Sequence, residues 1–294
     1  MDDSYGIAPP GYRLPGNLRL GTVRLQVADL ARSLDWYHRV LGVEVLDNRN
    51  GVARLGAVGG DRALIEPHER VGAHPVPRRG RLGLYHYAIL LPDRAWLARF
   101  VRHLAELGER AGMSDHFVSE AVYLTDPDGL GIEVYADRPR SKWRHDQRQL
   151  VMATEPLDVD DLLRTAGAEP WTGLPPGTVI GHIHLFVGDL QQAAAFYHAG
   201  LGLDQVVWSY PGALFLSAGG YHHHLGTNTW AAGALPAGDH DARLLEWEIL
   251  LPSATDVQAA LASVAATGAS VTTGAGDGVA TDPWGTTLRL REMD

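Results

Sequence analysis

The sequence predicts an α+β fold of four repeated units, each a strand, a helix and further strands, and two internal repeats carry that prediction. Residues 22–42, TVRLQVADLARSLDWYHRVLG, and 182–202, HIHLFVGDLQQAAAFYHAGLG, superpose without a gap and share an Asp-Leu, a Tyr-His and a Leu-Gly. Residues 84–93, LYHYAILLPD, and 244–253, LLEWEILLPS, form a second pair at the same interval. Each member of that pair runs on into a helical stretch and a hairpin with a DPxG turn.

In chain order, the 22–42 and 182–202 segments read as an alternating strand, an Asp-Leu entry to a helix, an amphipathic stretch ending in Tyr-His, and a Gly stop. WLARFVRHLAELG and VQAALASVAATG carry apolar residues three and four apart, as a helix covering a sheet does. His38 and His198 match across the repeat, which marks them as structural. The expected layout is an N-terminal domain of two units at 18–137, a joint at 138–178 with a short helix in DVDDLLRTAG, and a C-terminal domain of two units at 179–294.

A length of 294 residues suits about two domains. The balance is acidic, with a formal charge of −10, and no basic run outlasts RPRSKWRHDQR, which reads as a solvated linker. A nucleic-acid or membrane-surface partner is therefore not expected. There is no Cys against 14 His, which removes disulfides, thiolate nucleophiles and iron–sulfur clusters and steers any metal site toward nitrogen and oxygen ligands. The N-terminus has no apolar signal region, and no stretch approaches the roughly 18 apolar residues of a spanning helix, so a cytoplasmic location is expected.

The most informative stretch is HFVSEAVYLTDPDGLGIE at 116–133. The runs EAVYL and GIEVY flank DPDG, a turn in which Pro presets φ and Gly supplies the conformation other residues resist. Alternation puts Gly131, Glu133 and Tyr135 on one strand face and Ile132 and Val134 on the other. A carboxylate among apolar strand residues needs a cationic partner, and a metal ion is one.

The spacing from His116 through Tyr123 and the turn to Glu133 resembles the signature of the extradiol ring-cleaving dioxygenases of the vicinal oxygen chelate superfamily (the glyoxalase–bleomycin resistance–dioxygenase fold). The resemblance spans about residues 18–292. It implies βαβββ units paired into two half-barrel domains, with ligands on the first and last strands of a unit. The corresponding positions are Thr22 in unit one, His86 and Glu133 in unit two, His182 in unit three, and Glu246 with Arg289 in unit four. Pairing units two and three gives His86, Glu133 and His182, a 2-His-1-carboxylate set that leaves one face of Fe(II) open, with Mn(II) as the alternative metal. The competing site takes His182, Glu246 and a His of YHHHLG from the C-terminal half, but Arg289 at a ligand position repels a metal and suits a salt bridge with Glu246 or Glu248.

The resemblance also implies a His over the substrate as acid–base residue, carried here to His224 or His222, which strand alternation would place on one face with His223 on the other. Tyr123 would serve as a hydrogen-bonding catalytic residue and substrate contact, His116 as an outer catalytic residue, and His184 as a substrate-binding residue beside His182. Tyr85, Tyr87, Trp230 and Trp247 are candidates for the pocket wall or the core. The implied activity is insertion of O2 into a catechol beside the diol to give a muconic semialdehyde, in an enzyme compatible with homo-oligomer formation. The alternatives are a glyoxalase-type metal isomerase or lyase, which would call for a further acid, and a non-catalytic binding protein, which would not need the His and Glu set.

Overall fold

The computed structural model describes residues 5–274 and 276–293, and its long strands fall into two sheets. Unit one supplies β1 (Arg19–Val27), β2 (Glu44–Arg49), β3 (Val52–Gly56) and β4 (Ala63–Glu69). Unit two supplies β5 (Gly83–Leu90), β6 (Gly112–Asp115), β7 (Ser119–Thr125) and β8 (Gly131–Asp137). Unit three supplies β9 (Val179–Phe186), β10 (Asp204–Val207), β11 (Ala213–Ser217) and β12 (Leu225–Asn228), and unit four β13 (Arg243–Leu251), β14 (Ser270–Thr273), β15 (Asp277–Thr281) and β16 (Thr287–Glu292). The helices α1 (Leu30–Trp36), α2 (Arg94–Leu107), α4 (Leu190–Ala193) and α5 (Ala254–Ala265) follow the first strand of each unit, and α3 (Val159–Leu163) lies in the joint.

Local sequence explains the helix ends. Asp29, Asp93 and Asp189 accept the backbone N–H of the third residue beyond them, as does Ser253, so every unit's helix starts on a side-chain cap. The Asp-Leu of the repeat is thus an N-cap. The Tyr-His of the repeat falls where α1 and α4 widen into a π turn, and Gly42 ends the first of these at φ 69°. His38 and His198 use their Nδ1 atoms on the carbonyls of Val43 and Leu203, a structural use of both rings.

One sheet has the order β14-β15-β16-β13-β1-β4-β3-β2 and the other β6-β7-β8-β5-β9-β12-β11-β10, with Glu155–Pro156 added beside β6. Unit one is joined to unit four and unit two to unit three, so each sequential half, 18–137 and 179–294, gives one unit to each sheet. The division into sequential half-barrels does not describe the sheets. The seams are antiparallel pairs of first strands, β1 with β13 and β5 with β9. Arg24 lies opposite Glu246 across one seam, and His86 lies opposite His184 across the other.

The sequential halves are joined instead on the helix side. The Tyr37 hydroxyl donates to Asp126 at 2.9 Å, and Tyr197 donates to Asp282 at 2.9 Å. Each of these carboxylates also organises its own DPxG turn: Asp126 accepts from the N–H groups of Asp128 and Leu130, and Asp282 from those of Trp284 and Thr286. Ile132 and Val134 face this helix-covered core, as alternation predicted. The basic joint is not simply solvated, because Trp143 and Leu150 are buried against Val118 and Phe215. No helix among the described residues is long and apolar enough to cross a membrane.

Candidate metal centre

The seam between β5 and β9 carries two bulges, and both aim side chains into the half-barrel. His182 pairs with Ala88 while Ile180 pairs with Ile89, which leaves Gly181 as the extra residue on β9. Only Gly fits there, because a Cβ would collide with the Tyr135 hydroxyl. On β5 the extra residue is Tyr85, between His86 opposite His184 and Leu84 opposite Leu185. The bulge turns the Tyr85 ring onto the His86 and His184 side, with centroids 4.8 and 5.1 Å away. Beyond His184 the neighbouring strand has Gly226, where a Cβ would stand 2.9 Å from the imidazole, so its absence makes room for the ring.

Glu133 reaches the same point from β8, which lies parallel to β5. Its Oε2 is 3.0 Å from His86 Nε2 and 3.2 Å from His182 Nε2, and the two Nε2 atoms are 3.4 Å apart. Three ligands at right angles about 2.1 Å from a cation would be about 3.0 Å apart, so this triangle matches one face of an octahedral site. All three side chains are buried. Burial lowers the pKa of His86 and His182 despite the adjacent carboxylate, so both rings stay neutral and keep a lone pair. Burial alone would raise the Glu133 pKa, but His182 and His86 outweigh it and hold the carboxyl well below its usual range. The set His86, Glu133 and His182 therefore has the donors, charge and spacing of a divalent-metal site.

Around it lies a cavity of about 390 Å³ lined by Tyr85, Tyr123, His184, Tyr210, Phe215 and His223, among others. Tyr123 stands directly opposite Glu133 in the β7–β8 hairpin. Burial and then Glu133 push its phenol pKa well up, so the hydroxyl keeps its proton. His116 Nδ1 donates to the Ala153 carbonyl at 2.6 Å, which fixes the ring so that Nε2 accepts from Tyr123 Oη at 2.5 Å. His184 Nε2 accepts from Asn228 Nδ2 at 3.0 Å. Burial holds its pKa well below the usual value, so it is neutral.

The three adjacent histidines are where the sequence-based expectation needs correcting. Residues 221–224 precede β12 and are not strand, so strict alternation does not apply to them. His223 lines the metal-site cavity, its ring 4.1 Å from that of His182. His224 turns away into a separate cavity beside Gly16 and Tyr221, with Nδ1 near Ser217 Oγ at 3.1 Å. His222 is fully buried, and its Nε2 donates to Asp137 at 2.9 Å while its Nδ1 lies 2.7 Å from Nδ1 of His223. With Nε2–H committed to Asp137, His222 accepts from His223 Nδ1–H, which leaves Nε2 of His223 free as a base. Neither His224 nor His222 is the residue facing the site.

Four further wall residues, Met152, Thr154, Tyr210 and Phe215, were not singled out from the sequence; the joint supplies the first two, and β11 of unit three with the turn before it supplies the others. Of the aromatic candidates, Tyr85 and Trp230 line cavities, whereas Tyr87 and Trp247 are fully buried in the core. The positions in the other sheet that correspond to the metal ligands hold a charge network. Arg24 donates to Glu246 and Glu248 at 2.6 Å each, and Arg289 donates to Glu246 at 2.8 Å and Asp277 at 2.8 Å. His182 and Glu246 lie in different sheets, so the alternative site within the C-terminal half does not assemble.

The model of the Glyoxalase/Bleomycin resistance protein/Dioxygenase superfamily matches residues 19–134 and 179–290. The chain belongs to this superfamily. Within the superfamily it is 48% identical over 237 residues, 79% of this chain and 82% of the relative, to a Bacillus subtilis (strain 168) protein named catechol-2,3-dioxygenase. A solved structure from Bacillus subtilis subsp. subtilis has a TM-score of 0.64 at 15% identity, covering 96% of this chain and 86% of that one. Glyoxalase I from Zea mays has a TM-score of 0.56 at 17% identity, covering 94% and 92%. At these identities the two structures show the superfamily fold alone.

Proposed function

We propose that the protein is an extradiol dioxygenase that holds Fe(II) on His86, Glu133 and His182 and inserts O2 into a catechol beside the diol, giving a ring-opened muconic semialdehyde. The observation that carries the proposal is the buried triangle of two neutral imidazoles and one carboxylate, with edges of 3.0, 3.2 and 3.4 Å, walled by aromatic rings. The relative named catechol-2,3-dioxygenase supports the reading. Bound Fe(II) would supply the electron path that lets triplet O2 react with a closed-shell ring. The ligand set cancels one of the ion's two charges, which favours an anionic catecholate.

The remaining chemistry falls to the chain's own groups. His223 Nε2 would take a catechol proton and return it as the ring opens, since its Nδ1–H is held by His222 and Asp137. Tyr123, with its proton committed to His116, would present its phenol oxygen as an acceptor for a substrate hydroxyl. His184, turned by Asn228, would contact the substrate from the opposite strand. Tyr210 and Phe215 would exclude water from the ring. A glyoxalase-type site would want a second acid, and the cluster among the described residues has Glu133 as its single acid.

The test is anaerobic reconstitution with Fe(II), addition of catechol, and admission of air while O2 uptake and the visible spectrum are recorded. Uptake with a yellow ring-opened product is expected, and parallel loading with Mn(II) assigns the metal. Stoichiometric bound metal with no O2 uptake under either loading would overturn the reading.

A further inference from the structure

A second cavity, about 1170 Å³, adjoins the metal-site cavity and shares four of its walls: Tyr85, His86, Tyr123 and Trp230. A bare catechol ring fits within the inner 390 Å³, so the outer volume is larger than that substrate needs. Apolar side chains such as Val76, Leu84 and Phe186 line the outer cavity, and Trp230, 51% exposed, stands where it meets the inner one. Its charged residues are Arg78, Arg79 and Arg110, and its lining contains no Asp or Glu. In a chain with 35 acidic against 25 basic residues, three arginines and no acid around one opening run against the composition. None of the three makes an ion pair among the described residues, whereas Arg24, Arg94, Arg138 and Arg289 are each paired with one or more carboxylates.

We infer that the substrate is a catechol carrying an extended apolar arm that ends in a carboxylate, with the arm in the outer cavity and the carboxylate met by Arg78, Arg79 and Arg110. This rests on the dioxygenase reading for the ring and adds the chemical class of the substituent. Guanidinium groups recognise carboxylates with paired N–H donors, and the apolar walls between them and the metal site favour methylene groups over water. Net acidity elsewhere on the molecule repels anions, so a local cluster of free arginines also guides them to this opening.

The experiment compares dihydroxyphenyl-pentanoate with its methyl ester, an arm of similar shape without the charge, and measures kcat/KM for each by O2 uptake on the Fe(II)-loaded protein. The acid is expected to be favoured by about tenfold at low salt, with the preference shrinking as salt rises. In the combined Arg78→Gln, Arg79→Gln, Arg110→Gln variant the acid-to-ester ratio should fall toward one, and the combined Lys variant should restore most of it. An ester used as well as the acid, or a ratio unmoved by the Gln substitutions, overturns the inference while leaving ring cleavage intact. A second arm is independent of turnover: calorimetric binding of phenylbutyrate against phenylbutanol, neither of which can chelate a metal or be cleaved. Preference for phenylbutyrate that the Gln variant loses supports the arginine-lined opening even if no catechol is cleaved, an outcome that would sink the dioxygenase reading alone. Equal binding of the two by the wild type overturns it.

Discussion

At the scale of single residues, neighbouring histidines in one short stretch have different fates. His223 faces the metal-site cavity and His224 does not, so His223→Phe should keep the metal and lower turnover by about a hundredfold or more, the usual contribution of an acid–base group. His224→Phe should change turnover little. Steady-state O2 uptake together with metal analysis separates the two, and the reverse pattern would return the role to His224. His224 also bears on stability. Burial, then the nearby His222 and His182, lower its pKa to about 3. Between the ordinary value near 6.5 and that point the unfolded chain binds a proton that the folded chain refuses, so stability falls as pH drops through this range, by up to about 1.4 kcal/mol per pH unit. His184 and His223, both lowered mainly by burial, act in the same direction. Melting temperature should therefore decline steadily below about pH 6. The His224→Phe variant should show a shallower decline, and an identical slope would remove His224 from the account.

At the scale of elements, the metal ligands are set by bulges and a hairpin as much as by their identities. Gly181 is the extra residue that brings β9 past Tyr135 with His182 turned inward. Gly181→Ala would press a methyl group into the Tyr135 hydroxyl, which forces backbone movement at a cost of about 1–3 kcal/mol. Both the melting temperature and the metal affinity should fall, because His182 is the next residue. A loss of stability with unchanged affinity would mean that the bulge serves packing alone. The hairpin is built more redundantly. Asp126 caps the turn with two backbone bonds and a third from Tyr37, so Glu133 and Tyr123 are held opposite each other by local and long-range bonds together.

For the whole molecule, two sheets of the same plan have diverged in what fills them. The sheet of units two and three gathers two imidazoles and a carboxylate, and the sheet of units one and four gathers Arg24 and Arg289 with Glu246 and Glu248. Glu133→Ala and His182→Ala should abolish metal binding, whereas Glu246→Ala should leave it intact and cost a little stability by removing one of the carboxylates that Arg24 and Arg289 each pair with. Metal titration into each purified variant checks this, and loss of metal in the Glu246 variant would place the site in the other sheet. Metal bound only to the folded state stabilises it by about 2.7 kcal/mol at a free concentration a hundred times Kd, so a chelator should lower the melting temperature of the wild type and not that of Glu133→Ala.

The repeat, the helix caps and the hairpin were legible in the sequence because each depends on neighbours along the chain. Asp29 and Asp189 cap helices they begin, Asp126 closes its own turn, and alternation puts Glu133 on the strand face away from Ile132 and Val134. The set His86, Glu133 and His182 could be proposed as well, since the family resemblance points to the first and last strands of a unit and the repeat carries those positions from unit to unit. Which units share a sheet was decided only in three dimensions, by long-range pairing of first strands at the β1–β13 and β5–β9 seams. The same holds for His223: its orientation comes from a turn packed against Asp137, Trp143 and Tyr135, residues far away in sequence, and no local periodicity encodes such a contact.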